Sequence, residues 1–172
     1  MKKIIGMGIV FFGASLLLGA ETANDQLLQA ARDGDLAGVR RAVHQEKADI
    51  NVRGEKNRTP LMWASDTGQL DVVKYLVKTG KADINAQDNK NMTALMLAAY
   101  HGHSNIVRYL VEEAHADVKI KGPFGKTALG LARFRGHSEI ARYLRRDSTH
   151  VKTAKDRTKR RRRNESRNDK TV

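Results

Sequence analysis

Thr93 to Asn105 reads T-A-L-M-L-A-A-Y-H-G-H-S-N, and the phrase recurs 34 residues to either side, as T-P-L-M-W-A-S-D-T-G-Q-L (Thr59 to Leu70) and T-A-L-G-L-A-R-F-R-G-H-S (Thr127 to Ser138). A degenerate copy, D-Q-L-L-Q-A-A-R-D-G (Asp25 to Gly34), stands in front of them in the same register but without the opening Thr. Gly34, Gly68, Gly102 and Gly136 are each separated by 34 residues. A fixed period of roughly 20–50 residues signals stacked supersecondary units rather than one globular core.

Each unit spells a helix, a tight turn, a second helix and an extended finger. Thr59 is suited to cap a helix because its hydroxyl can accept from a free backbone N–H, and Pro60 suits the first helical position, where its missing N–H costs nothing. Leu61 and Ala64 then share a face, and Gly68 ends the helix as a residue with positive φ would. A second helix is expected over Leu70 to Lys78, with Val72, Val73, Leu76 and Val77 at helical spacing and Gly80 as its stop. Ile106, Val107, Leu110 and Val111 repeat these apolar positions; Leu36, Val39, Arg40 and Val43 do so more loosely, and in the last unit they become Ile140, Ala141, Leu144 and Arg145. A terminal unit needs one polar face because nothing stacks on it. Arg40 and Arg145 therefore mark two caps around two full internal units.

Fingers follow, introduced by Ala48-Asp-Ile-Asn51, Ala82-Asp-Ile-Asn85 and Ala116-Asp-Val-Lys119, with Ile50, Ile84 and Val118 tying each finger to the helices. Asn57, Asn91 and Gly125 occupy one turn position near the finger ends, and Asn and Gly tolerate positive φ best.

These pieces, T-P-L-M-x-A-x-x-x-G-x-x-x-V-V-x-x-L with A-D-I-N, resemble the ankyrin repeat, whose usual unit is about 33 residues. The resemblance covers about Asp25 to Arg146. It departs in one place: the family's His after T-P-L is Met62, Met96 and Gly130 here, so the hydrogen bonds that His makes between repeats must be absent or replaced. The implied fold is an all-α solenoid of four stacked helix-turn-helix units with short β-hairpin-like fingers. The expected repeats are 25–58, 59–92, 93–126 and 127–147, within a domain of residues 21–147.

The flanks differ from the repeats. Lys2 and Lys3 precede an uncharged run from Ile4 to Ala20, which has the layout of a secretory signal peptide cleaved after Ala20. The alternative is a retained membrane anchor; if the segment is cleaved, no stable span is expected. Both readings export the repeats, and the bacterial style of the signal points to a periplasmic or secreted protein. From about Thr149 the helical pattern stops, and residues 148–172 are expected to form a disordered basic tail. Of the net charge of +13, residues 2 and 3 carry +2, residues 21–144 carry +3 from 18 Lys/Arg against 15 Asp/Glu, and residues 145–172 carry +8 from 12 against 4.

There is no phosphate-cradling glycine loop, G-x-S-x-G or H-E-x-x-H, and no cysteine. A non-catalytic protein without cofactor or metal is expected. His101 and His103 form H-x-H, but His103 and His137 follow the helix-ending Gly at a position that is often a structural His in the family. The N-x-S/T triplets at Asn57 and Asn91 arise because Asn fills the turn and Thr caps the next helix; the third, at Asn164, lies in the tail.

What the resemblance implies is a binding surface on the fingers and outer first-helix positions. Carried over by position, it selects Arg53, Glu55, Lys56, Arg58, Asp66 and Thr67 in the second unit and Gln87, Asn89, Lys90, Met92, Tyr100 and His101 in the third. In the fourth it selects Lys121, Pro123, Phe124, Lys126, Phe134 and Arg135. Tyr100, Phe124 and Phe134 are the expected anchors, since aromatic residues and Arg are enriched at interface hot spots. Trp63 occupies the position of Leu97 and Leu131 and is read as packing. The expected function is a monomeric scaffold that binds an unidentified protein. The rival is an anionic surface, such as phosphate-bearing lipid, or nucleic acid bound through Lys159, Arg160, Arg161, Arg162 and Arg163, including nuclear import if the protein were delivered into a host cell.

Overall fold

The computed structural model describes residues 22–79 and 81–146. The signal segment, the stop at Gly80 and the basic tail with Lys159 to Arg163 lie outside them. The described chain is built of helix pairs: α1 (Ala23–Asp33) with α2 (Leu36–His44), α3 (Pro60–Thr67) with α4 (Leu70–Lys78), α5 (Ala94–His101) with α6 (Ser104–Glu112), and α7 (Ala128–Phe134) with α8, covering 138–146. No strand occurs among the described residues. First helices stack in the order α1, α3, α5, α7, and α2, α4 and α6 stack behind them.

The caps follow from the sequence. The hydroxyls of Thr59 and Thr93 accept from the backbone N–H of Met62 and Met96, both at 3.3 Å. In the first unit Thr22 takes this role one turn earlier: it closes a capping box with Asp25, so α1 begins at Ala23 and is longer than α3 or α5. The Thr22 hydrogen bonds hold the Asp25 carboxyl below its ordinary range. Thr127 makes no such side-chain bond.

Each central first helix is buried all round, because it is covered by two neighbours and its own partner. Leu61 to Ser65 in α3 and Ala94 to Ala99 in α5 are buried, whereas α1 buries only Leu27 and Ala31. A helix apolar on every side belongs inside a stack; the terminal ones need a wet face. In the second helices Val72, Val73 and Leu76 repeat as Ile106, Val107 and Leu110, then as Ile140, Ala141 and Leu144, all buried. The first unit corrects the looser expectation: its buried positions are Val39 and Ala42, while Arg40 is exposed and lies 5.5 Å from the Tyr75 ring.

The repeats are bolted together by polar side chains whose function the period alone does not reveal. Asn51 and Asn85 accept, through Oδ1, the backbone N–H of Asp83 and Asp117 in the next finger base, at 2.8 and 2.9 Å, and Asn24 of α1 does the same for Asp49 within the first unit, at 2.8 Å. His103 Nε2 donates to the Asp66 carbonyl and His137 Nε2 to the Tyr100 carbonyl, both at 3.0 Å. Because a carbonyl can only accept, these bonds require a proton on Nε2. Each ring also packs on the glycine that ends the preceding first helix: a Cβ added to Gly102, itself at φ +87°, would stand 2.7 Å from His137 Cε1. His103→Ala is expected to lower stability by about 1–2 kcal/mol, the cost of a half-buried hydrogen bond lost with its carbonyl left unpaired. A urea melt at neutral pH measures it, and an unchanged midpoint would contradict the structural role.

The finger turns use positive φ as expected, at Asn57 (+60°), Asn91 (+59°) and Gly125 (+68°). Two of them go further, since Lys56 and Phe124 precede Asn57 and Gly125 at φ +57° and +54°. In the second finger Asp88 replaces the Gly54 and Gly122 of its neighbours. Its Oδ1 accepts from the N–H of Lys90 and of Met92, at 2.8 and 2.9 Å, and Lys90 keeps a negative φ.

Candidate functional site

On the finger side, the third and fourth units enclose a groove of about 760 Å³. Its floor is Met92, Leu97, Tyr100 and Leu131, and its walls are Phe124 from the last finger and Phe134 from the end of α7. Arg58, Lys90, His101, Pro123 and Lys126 complete it. Phe124 is 94% exposed and Phe134 67%, and they are the exposed large apolar side chains of the described residues. Phe124 also holds a left-handed backbone that costs a non-glycine residue roughly 1–2 kcal/mol, without any burial to offset it. Lys56 holds the same left-handed backbone at the equivalent place in the first finger, so the conformation belongs to the turn, and what sets Phe124 apart is the exposed ring it carries there.

Of the residues expected to face a partner, the groove gathers Arg58, Lys90, Met92, Tyr100, His101, Pro123, Phe124, Lys126 and Phe134. Two of these face inward. Met92 is 7% exposed and lies in the floor. Arg58 is a strut: Nη1 donates to Asp66 Oδ2 at 2.8 Å, Nε donates to Asp88 Oδ2 at 3.2 Å, and its guanidinium lies 4.8 Å from the Trp63 ring. Asp88 recruits it, and Asp88 is buried.

The remaining expected residues lie outside the groove. Asp66 is tied to Arg58, and His101 Nε2 stands 3.0 Å from its other carboxylate oxygen, within ion-pair distance though not aligned as a hydrogen bond. Arg53 Nη1 donates to the carbonyls of Asn57 and Gln87, and Gln87 Nε2 to those of Asn91 and Lys121, so these two stitch the fingers together. Glu55, Lys56, Asn89 and Lys121 are exposed on the fingers. Thr67 is exposed too, but its hydroxyl donates to the Arg32 carbonyl. Arg135 lies 4.6 Å from the Tyr100 ring and covers one face of it. Trp63 packs as expected, 7% exposed between Arg32 and Arg58.

Among the described residues, no group of three or more His, Cys, Asp or Glu side chains could hold a metal ion. The rings of His101 and His103 stack 6.3 Å apart, but one faces the Asp66 carboxylate and the other the Asp66 carbonyl. No helix among these residues is long and apolar enough to cross a membrane.

The family model described as ankyrin repeats, in three copies, matches residues 27–122, more than half of the chain. The chain belongs to the ankyrin-repeat family. A search of curated proteins returns no match. Ankyrin repeats are in general scaffolds for protein-protein interaction and generally non-catalytic, and the family supports protein-protein interaction as the class of function here.

One feature of the array is legible in the sequence only after the stack is seen. Tyr75, Tyr109 and Tyr143 recur at 34-residue spacing on the second helices. Tyr75 pairs its hydroxyl with His44 Nε2 at 2.7 Å, and Tyr143 donates to Glu112 Oε1 at 3.0 Å, so each reaches back to the preceding repeat. Burial, with Glu113 nearby, raises the Tyr109 phenol above its ordinary range. The signal was the period itself, present at a position outside the apolar stripe.

Proposed function

We propose that this ankyrin array is a monomeric, non-catalytic scaffold of the periplasm or secreted space whose partner protein sits in the groove between the third and fourth units. The observation that carries the reading is Phe124, 94% exposed, which with Phe134, 67% exposed, lines a groove over an apolar floor. Contiguous exposed apolar surface rimmed by polar groups marks interaction sites. Tyr100 supplies a third aromatic at the centre, where hot spots cluster. Export rests on the layout of residues 1–20.

The test is capture from envelope extract by the full chain and by a Phe124→Ala/Phe134→Ala variant. Both side chains are exposed, so folding is expected to survive, as circular dichroism would verify. A discrete protein retained at moderate salt by the wild type and reduced about tenfold or more by the variant is the expected result. Equal capture by both, lost as salt rises, would transfer the function to the basic tail, since binding by counterion release falls steeply with salt.

A further inference from the structure

The groove carries a charge that nothing lining it balances. Its cations are Arg58, Lys90 and Lys126, and no carboxylate lines it. Arg58 is neutralised from behind by Asp66 and Asp88. Lys90 and Lys126 have no carboxylate within ion-pair distance among the described residues. Instead, the Lys126 ammonium lies 5.3 Å from the centre of the Phe124 ring and 5.1 Å from that of Phe134. Aromatic faces attract a cation, so this ammonium is held between the two walls before any ligand arrives. A group already placed loses less freedom on binding.

We infer that the groove takes an extended acidic segment of a partner protein, with a carboxylate on Lys126, a second reaching Lys90, and an adjacent aromatic or large aliphatic side chain against Phe124, Phe134 and the floor. Charge complementarity selects this occupant. It excludes the chain's own tail, because the Lys159 to Arg163 run bears the same sign as the groove. The inference rests on the protein-binding reading above and adds the chemistry of what is bound. It also accounts for a half-buried lysine whose ammonium lies over two phenyl rings: the rings orient the cation, and the cation selects an acidic neighbour for the apolar group the rings receive.

The test uses the full chain and a terminally blocked fluorescent peptide in which one Phe is flanked by glutamates. Two control peptides replace the glutamates by glutamines, or the Phe by Ala. Anisotropy is read at moderate salt, where simple attraction to the basic tail is weakened. The glutamate and Phe peptide is expected to bind about tenfold or more tightly than either control, and Lys126→Met or Phe134→Ala to remove that advantage. Equal binding of the glutamine peptide would overturn the acidic chemistry. Undiminished binding by both variants would place the peptide on the tail and overturn the site. If the peptide fails while the Phe124→Ala/Phe134→Ala variant still loses its envelope partner, the protein-binding face stands and only the acidic segment falls. If both fail, the groove is not the interface.

Discussion

Arg58→Met is expected to destabilise the array by about 3–5 kcal/mol, because removing one partner of a buried ion pair leaves an uncompensated buried charge. The side chain of Asp88 is 1% exposed, and Arg58 Nε is its cationic partner at 3.2 Å. Asp88 Oδ1 would keep the N–H groups of Lys90 and Met92, so the second finger would retain its turn but lose its tie to the end of the first finger. The released Asp66 would still have His101 beside it. Arg58→Lys is expected to rescue only part of the loss, since a single ammonium cannot reproduce the planar fork that serves two carboxylates and stacks on Trp63. Urea denaturation at neutral pH measures both variants. A loss for Arg58→Met within about 0.5 kcal/mol, the usual range for surface substitutions, would mean that Arg58 is a surface residue after all.

Trp63→Ala is expected to cost about 3–5 kcal/mol, the usual range for deleting a buried Trp side chain. The ring is 7% exposed and lies between two guanidinium groups, with Arg32 at 5.0 Å and Arg58 at 4.8 Å from its centre. Trp63→Leu is expected to recover more than half of that, because Leu97 and Leu131 fill the same slot in the following units. As Arg58 and Trp63 touch, their losses should not add, and a coupling of about 0.5–3 kcal/mol is expected in a double-mutant cycle. Additive losses would show that the stack over the indole contributes nothing beyond packing.

Much of the fold was legible because the constraint at each repeated position is local. A hydroxyl before a helix, a glycine after it and an amide in a finger turn need little tertiary context, and Thr59, Gly102 and Asn91 behave as their neighbours in sequence require. The direction of side chains at the finger bases was not legible. Arg58, Met92 and Lys126 hold one repeat position and were all expected to face outward. Arg58 is drawn in by Asp88, which stands where the other fingers have Gly54 and Gly122; that break in the pattern was the readable clue. Met92 buries its apolar body in the floor. Lys126 belongs to the last unit and lies over Phe124 and Phe134. The same local rules missed Thr22, whose helix starts one turn before the repeat register, and the Asn ladder, because its acceptors only find their donors once the units stack.

The decisive measurement is site-specific photo-crosslinking in cells that produce the full chain, with the crosslinking residue at position 124 in the groove wall or at position 142, exposed on the opposite, second-helix side. A discrete protein adduct from position 124, absent from position 142, is the predicted result. Adducts from position 142 with none from position 124 would contradict the assignment of the groove as the face that receives the partner.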